Sequence, residues 1–186
     1  MKRLDQKGFT LIEVIIVLAL FAILAAMAGY YMGGQGAKAR LKSAARDLAS
    51  DMILARTRAI RDTRPWAISF DQAENSYVIY SYAGENPADW TNGGERVFRT
   101  VSLPKNISFA SNQTGLDGNP VTDAVSYIEN VDPDGDDLVT FNYNGSSSES
   151  GEVYLTISTG ETFCVSNLES TGRIKVQRNY GSGWSQ

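Results

Sequence analysis

Residues 8–32 read GFTLIEVIIVLALFAILAAMAGYYM, and this stretch decides what kind of molecule the chain is. From Phe9 to Met32 it is apolar apart from Thr10, Glu13, Gly29, Tyr30 and Tyr31. Leu, Ile, Ala and Met favour helix, and no proline interrupts the run. At ~1.5 Å rise per residue, twenty-odd helical residues span a hydrocarbon layer of ~30 Å, so the pattern predicts a transmembrane helix over 9–32. Lys2, Arg3 and Lys7, in a short leader over 1–8, belong on the cytoplasmic side and send the C-terminal bulk outward. Tyr30 and Tyr31 fall where an aromatic belt meets the outer interface. A secretory signal is the competing reading. Its apolar centre is shorter, roughly 7–15 residues, and its cut site follows that centre; Ala25-Ala26-Met27-Ala28 imitates such a site.

Glu13 is the anomaly in this run. A carboxylate within a membrane costs roughly 2.5–3.5 kcal/mol, so it either snorkels to the interface or has a partner. Cleavage after Gly8 would give Phe9 a new α-amine four positions away. The amine of a neighbouring subunit could then pair with Glu13 when helices stack side by side.

The heptapeptide Gly8-Phe9-Thr10-Leu11-Ile12-Glu13-Val14 resembles the prepilin cleavage and methylation motif of type IV pilins and type II secretion pseudopilins. The resemblance implies that a membrane prepilin peptidase cuts after Gly8 and N-methylates Phe9. It also implies that Glu13 serves filament assembly by pairing with a neighbour's amine.

Composition narrows the function classes. The 186 residues suit one domain with an appendage. The net charge of −4 hides a split. Residues 1–64 hold 11 Lys and Arg against 5 Asp and Glu, whereas 65–186 hold 6 against 16. Such a split suits two parts that meet different surroundings. There is no histidine, which removes Ser-His-Asp and Cys-His catalysis and His-ligated metals. The single cysteine, Cys164, forms no internal disulfide and reads as a small buried apolar residue. No catalytic constellation is present, and the chain reads as a non-enzyme.

After Gly33, Gly34 and Gly36 the pattern becomes an amphipathic stalk helix over 33–64. Leu41, Ala45, Leu48, Met52, Ala55 and Ala59 draw one stripe, with Asp51 among the charged residues placed off it. Pro65 ends it. Arg56, Arg58, Arg61 and Arg64 raise a nucleic-acid surface; the preferred reading is a solvated face pairing with acidic neighbours.

From 65 to 186 eight runs rich in Val, Ile, Tyr and Phe predict antiparallel strands: 66–70, 77–82, 97–103, 107–110, 138–143, 153–158, 162–165 and 174–177. Thr159-Gly160 reads as a tight hairpin turn. The fold class is therefore α+β: a long N-terminal helix, half membrane and half amphipathic, packed on an antiparallel β-sheet head. Ala45–Arg64, Phe141–Gly145 and Gly172–Val176 resemble the H-type minor pseudopilin family, which also includes FimT-like minor pilins. Residues 84–137 match no pattern and read as a variable insertion or loop.

Two further sites are weighed. Asp132, Asp134, Asp136 and Asp137 surround a tight turn and offer carboxylates to calcium, but the EF-hand spacing is absent, and an ordinary acidic turn is preferred. Arg173, Lys175 and Arg178 form a small basic strand that could contact DNA; an edge strand protected by charge explains the same residues, and the acidic head repels a polyanion. No cofactor is expected beyond that calcium alternative.

The resemblance implies a type II secretion minor pseudopilin that helps start or tip a filament. Its partners would be other pseudopilins or pilins, the prepilin peptidase, the inner membrane and secreted cargo. The chain would cross the bacterial inner membrane once, with its head in the periplasm. The alternative is a FimT-like minor pilin of a type IV pilus that binds DNA in transformation.

Overall fold

Thr10 starts the helix. Its Oγ1 and its carbonyl both accept from the Glu13 backbone N–H, at 3.3 and 3.1 Å, so it acts as an N-cap. Helix α1 then runs Leu11–Asp62 and continues through Gly33, Gly34 and Gly36. The computed structural model describes residues 9–82, 95–110, 114–127, 137–179 and 183–185, and the backbone alone for 28–35. Two compact units emerge, 1–37 and 38–186. In the first, every described side chain of residues 9–27 is exposed, from Phe9 at 84% to Met27 at 59%.

In the second unit the helix buries one stripe. Leu41, Ala44, Ala45, Leu48, Ala49, Met52, Ala55 and Ala59 are buried, and Leu41, Leu48 and Met52 are completely so. Each large side chain buried in this way stabilises the head by ~1.5–3 kcal/mol. The helix ends in a Schellman turn. Thr63 takes a left-handed φ of 52°, and the Arg64 N–H donates to the Ala59 carbonyl at 3.3 Å. Pro65 then carries the chain into the first strand.

Among the described residues, nine strands form two antiparallel sheets. The first has the order β3-β2-β1-β5, from Glu95–Ser102, Ser76–Tyr82, Trp66–Asp71 and Asp137–Phe141. The second has the order β4-β6-β7-β8-β9, from Ile107–Phe109, Gly151–Ile157, Thr162–Leu168, Arg173–Asn179 and Trp184–Ser185. All eight expected strands are present; β9 is additional. Central strand β1 is buried on both faces and reads as an almost unbroken apolar run, whereas edge strand β3 is largely exposed. Gly160, at φ 86°, closes the β6–β7 hairpin where the sequence expects it, with its N–H donating to the Ile157 carbonyl at 2.8 Å.

Aromatic rings join the two sheets. Phe70 of β1 stacks on Tyr127 at 5.6 Å and meets Phe109 of β4 edge-on at 6.0 Å. The Tyr127 ring lies where a β-carbon on Gly151 would sit, 2.1 Å from its Cε1. The Tyr127 hydroxyl donates to Asn167, whose Nδ2 donates to Ser147 Oγ and the Glu149 carbonyl at 2.7 and 2.8 Å. The unmatched middle of the sequence is thus partly core. Val125 bridges to Val153 and extends the edge that β4 begins along β6.

Candidate functional site

The N-terminal motif is the first candidate. Gly8 lies outside the described residues. Phe9, Thr10 and Glu13 are exposed at the start of the helix, and among the described residues no ion pair holds Glu13. Thr10 and Glu13 have the Thr-x-x-Glu spacing of a capping box, a sequence signal that the reading of Glu13 as a lone intramembrane acid passes over. The Thr10 half of the box is formed. No helix among the described residues is long and apolar enough to cross a membrane. The described apolar side chains run from Phe9 to Met27, and those of 28–35 fall outside.

Asp51, Arg56 and Arg58 each fasten the amphipathic helix to the head. Asp51 departs from its expected place: it is buried at 8% exposure rather than off the stripe. Its carboxylate accepts from the Tyr77 hydroxyl at 2.7 Å and pairs with Arg99. Burial, and then the Asp51 hydrogen bond, push the Tyr77 hydroxyl well above its ordinary pKa, so it remains a donor. Periodicity alone misplaces Asp51 because its partners lie on β2 and β3, far along the chain.

Arg56 provides the second contact. Its Nε donates to the Gly145 carbonyl at 2.8 Å. Gly172, at φ 56°, packs against the same group: a β-carbon there would lie 2.3 Å from that carbonyl oxygen. Arg58 provides the third, lying over the Trp66 and Phe98 rings at 5.8 and 5.4 Å. Of the four arginines, Arg61 makes the expected acidic ion pair, with Asp62 at 2.8 Å, and among the described residues the other three make none. Arg56 and Arg58 hold a carbonyl and two rings instead.

The basic strand does not gather its cations on one face. In β8 the pleat places Arg173 and Lys175 on one side and Arg178 on the other. Arg178 pairs with Glu161 and lies over Phe163 at 5.4 Å. Beyond it, β9 pairs only with Arg178 and Asn179, so most of β8 is an edge among the described residues.

Of the acidic turn, Asp132, Asp134 and Asp136 lie outside the described residues. Asp137 opens β5, and Gln72 Nε2 bridges it to Asp123 at 3.1 and 2.9 Å. Burial, then the Asp123 charge, raise the Asp137 carboxyl above its ordinary range. The described residues contain no cluster of three or more metal-binding side chains. Cys164 is fully buried within β7, as expected, and burial followed by the Glu152 charge push its thiol far up.

The head and the N-terminal motif each have relatives. A family model described as a prokaryotic N-terminal methylation motif matches residues 3–29. A second, described as type II transport protein GspH, matches 44–172. No curated protein sequence matches the chain. Among solved structures, the minor pseudopilin EpsH of the type 2 secretion system of Vibrio cholerae is similar at TM-score 0.52 and 10% identity, over 74% of this chain and 95% of that one. The type IV minor pilin FimU of Pseudomonas aeruginosa is similar at TM-score 0.50 and 16% identity, over 80% of this chain and 95% of that one. At these identities the likeness shows the fold alone, a helix on antiparallel sheets, while the family match over 44–172 shows membership: the chain belongs to the family described as type II transport protein GspH.

Proposed function

We propose that the chain is a minor pseudopilin of a type II secretion system, made as a bitopic inner-membrane precursor with its head in the periplasm. Cleavage after Gly8 and methylation of Phe9 prepare it for assembly. The helix over 9–32 rests in the bilayer and then moves into a filament core, where neighbouring helices cover its apolar surface. Glu13 pairs with the Phe9 amine of an adjacent subunit. The head helps start or tip the filament and meets cargo, and no resident cofactor is needed.

One observation carries this reading: an all-round exposed apolar stretch of helix, 11–27, interrupted by a single carboxylate in its first turn. A helix apolar on every side needs a cover, and lipid or other apolar helices supply it. The methylation motif over 3–29 supports the same reading. The likeness to FimU favours a second reading, membership of a type IV pilus. Deleting the gene separates them, since the first reading predicts lost export with pili intact and the second the reverse. Mass spectrometry of the mature chain tests the processing step: the expected first residue is N-methylated Phe9, and an intact Met1–Gly8 leader overturns it.

A further inference from the structure

The groove between the amphipathic helix and β8 carries a charge that the fold does not use. Lys42, Arg46, Phe163, Val176 and Arg178 line a cavity of about 250 Å³. Glu161, at its end, is already matched by Lys38 at 3.6 Å and by Arg178. Lys42 and Arg46, one turn apart on the exposed helix face, have no acidic partner among the described residues. Beside them lies the open edge of β8. β9 covers Arg178 and Asn179, and among the described residues no strand pairs with 173–177 on that side. The edge is cationic on both faces, with Lys42 and Arg46 toward the helix and Arg173 and Lys175 on the opposite side of the pleat.

We propose that this edge is a docking site for an extended acidic peptide segment of another protein chain, added to β8 as a further strand. Two observations select that occupant. An unpaired strand edge offers a ladder of backbone N–H and C=O groups that only another extended chain can match. Cations on both faces favour a strand bearing carboxylates on both of its faces, and they repel basic edges. Phe163 and Val176 give the floor for an apolar side chain between the carboxylates. A DNA duplex has no such ladder to offer and meets a head of strongly negative net charge. The proposal goes beyond the filament reading, and its test measures the groove alone.

The test uses the full chain in non-ionic micelles and a fluorescent Glu-Val peptide of repeating Glu-Glu-Val-Val, which places carboxylates on both faces of an extended strand. Saturable binding that weakens with salt is expected. The exposed double variant Lys42→Glu/Arg46→Glu should raise the Kd by about tenfold or more. The same peptide methylated at every backbone nitrogen keeps its charge but cannot pair, and it should not bind. Four results would each overturn the proposal: no binding of the Glu-Val peptide, equal binding of a Gln-Val peptide or of the methylated one, an unchanged Kd in the double variant, or displacement of the peptide by a DNA duplex at matched charge.

Discussion

Residues 11–27 and residues 41–59 belong to one helix and treat their apolar side chains in opposite ways. The first stretch is apolar all round and entirely exposed; the second is apolar on one stripe and buries that stripe within its own unit. Helix propensity is adequate in both, so propensity does not separate them. What separates them is the source of cover. The second stretch finds its cover in strands encoded later in the same chain, and the first must take its cover from outside. On the reading proposed above, lipid or the helices of other subunits supply that cover.

Disrupting the head should leave the N-terminal part untouched, and three substitutions grade that separation. Gly151→Ala has the largest expected effect. Its β-carbon would enter the buried Tyr127 ring that ties the sheets together, at a cost of about 3 kcal/mol. Thermal unfolding of the head should fall accordingly, with membrane association unchanged. Asp51→Ala comes next. It leaves the buried Tyr77 hydroxyl and Arg99 without their acceptor and should cost about 2 kcal/mol. Chemical denaturation checks this, and an unchanged midpoint would show that Asp51 does not fasten the helix.

Asp137→Asn should have the smallest effect, and the opposite sign. The native state raises the Asp137 pKa, so the folded protein holds that proton more tightly than the unfolded chain. The resulting penalty is absent below the ordinary value of 3.8 and grows as pH rises through the raised one. The variant should therefore melt slightly higher at pH 7, and its advantage should fade as pH falls toward 4. A constant difference across that range would contradict the linkage.

Much of this division is legible in the sequence, because it is written in periodicity. The stripe from Leu41 to Ala59 and the eight strand runs follow from steps of three, four and two. Contacts between distant residues are less legible. Nothing near Asp51 in the chain announces Tyr77 and Arg99, and Arg56 reads as a surface cation until the β5–β6 and β7–β8 turns bring Gly145 and Gly172 to it. Tyr127 sits in a stretch without pattern, yet it is core because Gly151 leaves room for its ring. At the N-terminal site, Phe9 and Glu13 stand out by chemistry, whereas the Thr10 cap hides in a spacing that the odd carboxylate overshadows.

The central claim is that the exposed half of the helix completes itself against other subunits, with Glu13 as the polar contact. Glu13→Ala tests it most directly, by comparing the chain in the membrane fraction with the chain in sheared filaments. The account predicts normal membrane insertion, an unchanged head melting temperature and a strongly reduced filament fraction. Filament incorporation equal to the unaltered chain would contradict it.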